Sequence, residues 1–590
     1  MTLVRLVWRY LHDKKRLLAL IVVLQFSQVL LSLLLPNLNA RIIDNGIIVG
    51  DTSYIWRTGL LMLGVSLAQI TCIVGAMYVG ARTAMNLGRE LRSDAFRHVQ
   101  GFAATEQHKF GASTLITRAT NDITQIQSIV LNSFAILIMA PLLGIGGIVM
   151  AVLEDAQLSL LLLVVVPLLS ILIIGTMKAM ISRSVLQQQR IDRINTLLRE
   201  QLIGVRVIRA FTQEQAVAKK FDRANRDLRD VWLQIGLLWA FLMPTAQLVV
   251  GVSSVGVVWF GGQRIAEGLM NVGALTAYIS YLMMIMGAVL MSGFMVMMFP
   301  RGQVSAGRLQ EIFDTKSSIA SPTQPLLFPH RPRTYQLREV SLQYPGAERA
   351  VLNEINVELR PGRTVALIGS TGSGKSSILR LLPRLMDPSA GTIFVNDVDI
   401  RDLDLEKLRS TIAFVPQKSF LFSGTIATNV AGVGRGNTDI DVERVKQALR
   451  AAQAWEFICE LDDTIDAPVE SGGVNFSGGQ RQRLAIARAI YRCLPDAEGN
   501  RSADLIVFDD SFSALDNATD AQLRDALPSY IGDVAVLIVG QRVSTIRNAD
   551  IIHVLDEGEI VGSGTHAELL THNSTYQEIV ASQMSEEEAK

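Results

Sequence analysis

The chain has two textures. Over its first half, long stretches carry no ionisable side chain; over its second half, short apolar runs alternate with helical pattern and Gly-rich turns. Leu17 to Pro36 is uncharged and matches the roughly 20 residues a helix needs to cross hydrocarbon. Five further stretches, about 58–80, 130–152, 157–176, 236–260 and 273–299, also lack Asp, Glu, Lys and Arg, which are costly at a bilayer centre. A cleaved signal peptide would have a shorter apolar core and no further spans behind it. The pattern therefore predicts six membrane helices within a transmembrane domain over 1–310. Ahead of the first span, Leu3–Leu11 reads as an apolar-and-basic helix followed by Lys14-Lys15-Arg16, suited to a membrane surface.

The joining segments set the orientation. Those at about 81–129 and 177–235 are long and basic, with Arg82, Arg89, Arg206 and Lys219 among their cations. The connection between spans three and four carries only Glu154 and Asp155. The bias puts the N-terminus, the long segments and, after six spans, the C-terminal half on the cytoplasmic side. The long segments are helical in pattern, with breaks near Gly101–Thr105 and Phe211–Glu214 where short crossing helices are expected. The last span is rich in methionine, from Met283 to Met298 and including Met291 and Met297, a texture that packs lipid or accommodates varied apolar ligands.

Residues 311–334 read as a linker, with the proline-rich run Ser321–Pro332, and 335–590 as an α/β domain of alternating strands and helices. With 590 residues, more than one domain is the expectation. The 49% hydrophobic content and mean hydropathy of +0.31 agree with a membrane half. A formal net charge of zero offers no argument for a nucleic-acid partner. Cys72, Cys459 and Cys493 have no metal-ligand spacing.

Chemistry concentrates in the second half. Gly369-Ser370-Thr371-Gly372-Ser373-Gly374-Lys375-Ser376 follows a strand-like run and, with Ser377, opens a helix. Glycines at that spacing let backbone N–H groups wrap a phosphate chain; the lysine adds charge, and the Ser376 hydroxyl suits Mg²⁺. This pattern predicts binding of a nucleoside triphosphate. Upstream, Tyr344 stands ready to stack on an adenine, and Gln417, after a strand, to bring an oxygen to Mg²⁺. Asn475-Phe476-Ser477-Gly478-Gly479-Gln480 precedes a helix, a setting for an anion. Leu505–Phe508 reads as a buried strand ending in Asp509, in position for Mg²⁺, and Asp510. Asp516 follows, and Gln541 ends another buried strand.

In this order the residues resemble the ATP-binding cassette (ABC) superfamily, specifically exporter half-transporters of the multidrug and lipid type. The resemblance covers nearly the whole chain. It implies a six-helix exporter-type transmembrane domain and a P-loop, RecA-like nucleotide domain with a helical subdomain. It also implies ATP and Mg²⁺ as cofactors, an amphiphilic or lipid-like cargo, and residence in a prokaryotic cytoplasmic membrane. Tyr344 falls on the A-loop, Gln417 on the Q-loop, Ser477–Gln480 on the signature, Asp509 on Walker B and Asp516 on the D-loop. Paired cassettes of this family hold ATP between one chain's P-loop and the other's signature, so one chain is half a machine.

Two positions depart from the family pattern. Asp510 stands where the family carries the glutamate that primes water, and Gln541 where it carries a histidine. The resemblance then implies a heterodimer, whose partner supplies glutamate and histidine to a competent site completed by this chain's signature. An importer on the same fold and an ATP-gated channel or regulatory subunit are the alternative functions. Pro495–Asp504 reads as a surface insertion and Ser585–Lys590 as a solvated tail.

Overall fold

The computed structural model describes residues 2–344, 346–432 and 440–584; the side chains of Val296, Met297, Asn517 and Met584 and the tail Ser585–Lys590 lie outside the described residues. Two compact units emerge. One comprises the chain up to Gly101 with Phe110–Lys316, the other Phe102–Lys109 with the chain from Ser317 onward.

The first unit holds six helices long and apolar enough to cross a membrane: α1 (Thr2–Ile47), α2 (Thr52–Gln100), α3 (Ala112–Glu154), α4 (Leu158–Ala210), α5 (Glu214–Ala266) and α6 (Val272–Asp314). Apolar content makes each stretch a span, and the helices continue past it, α6 doing so through Pro300. The 49 residues of α2 rise about 74 Å at 1.5 Å each, more than twice the ~30 Å of a hydrocarbon core. Asp51 starts α2, its carboxylate accepting from the Tyr54 N–H at 3.0 Å. Two buried tyrosines inside the bundle donate to backbone carbonyls. Tyr281 Oη donates to Leu33 O at 2.9 Å, tying α6 to α1, and Tyr278 Oη donates to Leu158 O at 3.1 Å. Outward-facing Leu163, Ile171, Leu248 and Val255 are mostly exposed, which suits hydrocarbon rather than water.

Two features differ from the sequence pattern. A short helix forms at Ala104–Phe110, but its counterpart near Phe211–Glu214 does not. There only three residues separate α4 from α5, too few for a helical turn, and Thr212 turns the chain with a left-handed φ of 51°. The hand-over is also shorter than 311–334, because α6 runs to Asp314 and the chain from Ser317 packs on the second unit. Ser321 Oγ accepts from the Leu405 N–H at 3.0 Å, and the Leu326 N–H donates to Asp402 O at 2.9 Å.

The second unit is α/β. Its two larger sheets are built from β1 (Tyr335–Leu342), β2 (Leu352–Leu359), β3 (Thr364–Gly369), β4 (Ala390–Val395), β5 (Val398–Asp399), β6 (Ile412–Val415), β7 (Leu505–Asp509), β8 (Ala535–Val539), β9 (Ile551–Asp556) and β10 (Glu559–Gly564). The main sheet has the order β10-β9-β3-β8-β7-β6, parallel except for β10. An antiparallel sheet, β2-β1-β4-β5, accompanies it. The parallel strands are near-continuous apolar runs because they are covered on both faces: Ala366, Val507, Phe508 and Leu537 are fully buried.

Candidate functional site

Four adjacent parallel strands, β3, β8, β7 and β6, deliver their polar residues to the carboxyl end of the sheet. The P-loop follows β3, Gln541 follows β8, Asp509 ends β7 with Asp510 next, and Gln417 follows β6. Loops beyond the carboxyl ends of parallel strands are where such sheets bind ligands.

The P-loop is built by backbone that only glycine tolerates. A Cβ on Gly369 would stand 2.0 Å from Leu555 O. Gly374, at φ +102°, caps helix α7 (Lys375–Leu381), and a Cβ there would meet Val351 O at 2.8 Å. Gly372 has open space but φ +91°, so its requirement is conformational. Ser370 and Thr371 form the exposed tip of the turn. Lys375 is buried, its Nζ donating to Gly369 O and Ser370 O at 2.7 Å each and to Ser373 Oγ at 3.2 Å. Burial lowers the Lys375 pKa, while the nearby Asp510 and Asp509 carboxylates push it up.

Opposite the lysine stand two carboxylates. Burial raises the Asp509 pKa and the Asp510 charge adds to this; Arg380, a hydrogen bond with Ser376 and Lys375 act the other way. Asp510 occupies left-handed backbone at φ +46°, its N–H donating to Val539 O at 2.8 Å and its carbonyl accepting from Ser513 Oγ at 2.8 Å. Its Oδ2 accepts from both Gln417 Nε2 and Gln541 Nε2, each at 3.3 Å. Burial also raises the Asp510 pKa, opposed first by the Gln417 hydrogen bond and then by the Arg542 charge. The two unusual positions in the sequence are thus direct neighbours. Tyr344 Oη lies 3.1 Å from Ser377 Oγ, holding its ring beside the start of α7.

The signature residues form a second, separate surface. Asn475 Oδ1 accepts from the Glu470 N–H at 3.1 Å and its Nδ2 donates to Pro468 O at 2.8 Å. Phe476 is buried edge-on to Phe457, with ring centroids 6.5 Å apart. Ser477 caps helix α8 (Gly478–Cys493) through a reciprocal box with Gln480: the Gln480 N–H donates to Ser477 Oγ at 3.3 Å, and the Ser477 N–H to Gln480 Oε1 at 2.9 Å. Gly478 and Gly479 form its first turn. This helix packs against β6 and β7, at the far edge of the sheet from the P-loop strand. Three strand steps of about 4.8 Å put β3 and β6 roughly 14 Å apart. No hydrogen bond among the described residues links the signature to the P-loop.

Asp516 caps the helix Asn517–Ile531, accepting from the Thr519 N–H at 2.9 Å and Thr519 Oγ1 at 2.7 Å, which keeps its pKa low. Sequence reasoning missed Arg542 and Arg380, whose charges act on Asp510 and Asp509. Arg542 directly follows Gln541 at a strand end, which is the pattern that could have found it.

Residues 18–289 match the family described as ABC transporter transmembrane region, and residues 352–494 match ABC transporter. The chain is 43% identical over 583 residues to an uncharacterized ABC transporter ATP-binding protein of Mycobacterium tuberculosis (strain CDC 1551 / Oshkosh), covering 98% of each. It is 30% identical over 554 residues to the ATP-dependent lipid A-core flippase of Bordetella pertussis (strain Tohama I / ATCC BAA-589 / NCTC 13251), covering 92% of this chain and 86% of that one. The solved structure of a bacterial Atm1-family ABC exporter with ATP bound shares the fold, with a TM-score of 0.78 at 22% identity over 97% of this chain and 98% of that one. The chain belongs to the ABC transporter family, whose members couple ATP hydrolysis to transport, and is an exporter half-transporter.

Proposed function

We propose that this chain is one half of a heterodimeric exporter of amphiphilic compounds in the cytoplasmic membrane, and that its own P-loop site binds ATP but hydrolyses it slowly. The observation that carries this reading is the triangle of Asp510, Gln417 and Gln541 at the end of the sheet. Lys375 and the P-loop amides hold the phosphates, and Tyr344 supports the base. Ser376, Asp509 and Gln417 fit Mg²⁺: the first two are hydrogen-bonded to each other, and all three present oxygen donors. When bound, the ion neutralises charge on the β- and γ-phosphates.

The deficiency lies with the water. Asp510 is one methylene shorter than the glutamate of the family pattern, and its Oδ2 already accepts two amide hydrogen bonds. A displacement of about 1 Å costs about a hundredfold in rate, and loss of a positioned base ~10²–10⁴. Gln541 donates a hydrogen bond but brings no imidazolium charge toward a γ-phosphate. The signature surface on α8, built around Ser477, is intact and its helix packs at the β6 edge of the sheet, three strands from its own P-loop strand. In this reading it completes the ATP site of a second half-transporter that carries glutamate and histidine. The flippase name of one relative and the name of a 29% identical relative, the multidrug efflux ATP-binding/permease protein of M. tuberculosis (strain ATCC 25618 / H37Rv), favour an amphiphilic cargo; the chain spans 45% of the latter.

The test is gain of function. The double variant Asp510→Glu, Gln541→His raises ATP turnover of the purified chain at least about tenfold. Unchanged turnover with intact ATP binding would reject this account of the two residues.

A further inference from the structure

Between α1, α2, α3 and α6 of the first unit lies a cavity of about 260 Å³, opening to the surface beside Ile73 and Met77 of α2. Its wall is mostly soft and apolar, with Met77, Met139, Met291 and Phe134, and no ionisable side chain lines it. Two amides enter from α1. Gln25 and Gln28 are each only 6% exposed, within a span that carries no charge. Gln28 Nε2 reaches Met139 Sδ at 3.5 Å, and Gln25 Nε2 donates to Phe134 O at 3.3 Å. Gln25 Oε1, in contrast, is buried without a hydrogen-bond partner among the described residues. Buried amide oxygens are nearly always satisfied, so this acceptor at a cavity wall marks a place where a donor belongs. Phe134 and its neighbours Ser133–Leu137 form a π-helical turn, a local widening of the helix that recurs at functional sites.

We propose that this cavity is a ligand-binding site within a single half-transporter, taking an uncharged apolar molecule that donates a hydroxyl or N–H to Gln25 Oε1. A charged ligand is disfavoured because it would lose its hydration with no counter-charge in the wall. The size, just under the roughly 300–1,000 Å³ of drug-sized pockets, fits one or two aromatic rings or that end of a larger amphiphile. Thioethers contact such rings favourably and adapt to different outlines. Met291 belongs to the methionine-rich stretch of the last span, and the cavity gives that residue a use. Cargo recognition by this site rests on the exporter reading; ligand binding by it does not.

The experiment is photolabelling of the full-length chain in nanodiscs with 4-hydroxybenzophenone and with benzophenone, which lacks the donor, followed by peptide mapping. The site predicts labelling at Met77, Met139 or Met291, favouring the hydroxylated probe by about fivefold, the scale of one neutral hydrogen bond. Gln25→Leu erases that preference while leaving labelling by benzophenone. Gly80→Leu, whose new side chain would extend past Phe134 into the cavity, abolishes labelling by both; a Cβ there sits 3.6 Å from Phe134 Cβ, in ordinary contact. Unchanged helical circular dichroism and thermal unfolding of each variant in nanodiscs report that the membrane unit is folded. Labelling elsewhere only, or a hydroxyl preference unchanged in Gln25→Leu, overturns the site. Since no step needs turnover or transport, failed export with intact labelling would count against the exporter reading alone.

Discussion

Gly374 and Asp510 both lie in left-handed backbone, for opposite reasons. At Gly374 the conformation turns the P-loop, and a Cβ would strike Leu352 and Val351. Gly374→Ala should therefore lower ATP affinity by more than about tenfold and cost about 1–2 kcal/mol of stability, read by nucleotide titration and thermal unfolding. Wild-type affinity in that variant would contradict the cradle. At Asp510 a residue with a side chain accepts the strain, anchored by the Val539 carbonyl and the Ser513 hydroxyl. Asp510 and Gln541 were legible in the sequence as unusual residues. Their hydrogen bond was not, since it depends on β8 lying beside β7, and strand order leaves no mark on the residues themselves.

Among the elements, α8 shows a local signal and a global one acting together. Ser477 and Gln480 satisfy each other's backbone N–H groups, so the motif that reads as an anion site is also a helix start. Ser477→Ala should cost about 1 kcal/mol, measured by denaturant unfolding, while Ser477→Asn, an equally good cap, should not. Equal loss in both would show that capping is not what the serine contributes to stability. Apolar runs announced the six membrane helices clearly, because a water-facing helix rarely goes about 20 residues without a charge. Where those helices end was harder to read. The three residues between α4 and α5 left no room for the expected short helix, and the proline-rich stretch near 321–332 proved to be docked on the α/β unit through Ser321 and Leu326.

At the scale of the whole molecule, His553 contributes to how the protein answers acid. The imidazole is buried, with Nδ1 at 2.7 Å from Ser563 Oγ and Nε2 without a partner, and burial pulls its pKa down to about 4. An unfolded chain takes up this proton near pH 6.5 and the folded chain does not until about pH 4, so stability is lost as pH falls through that window. Between about pH 7.5 and 5 the loss from this group is about 2 kcal/mol. His553→Gln should flatten the fall in unfolding temperature of the α/β unit over that range, and an unchanged slope would assign the acid response to other groups. The proposed division of labour between two half-transporters belongs to the same scale. On that proposal, a chain that holds ATP at one surface and presents its signature on another works only with a second half. ATP turnover by the purified chain alone, before and after Asp510→Ala, tests this most directly. The account predicts slow turnover that this substitution barely changes; vigorous turnover abolished by it would contradict the account.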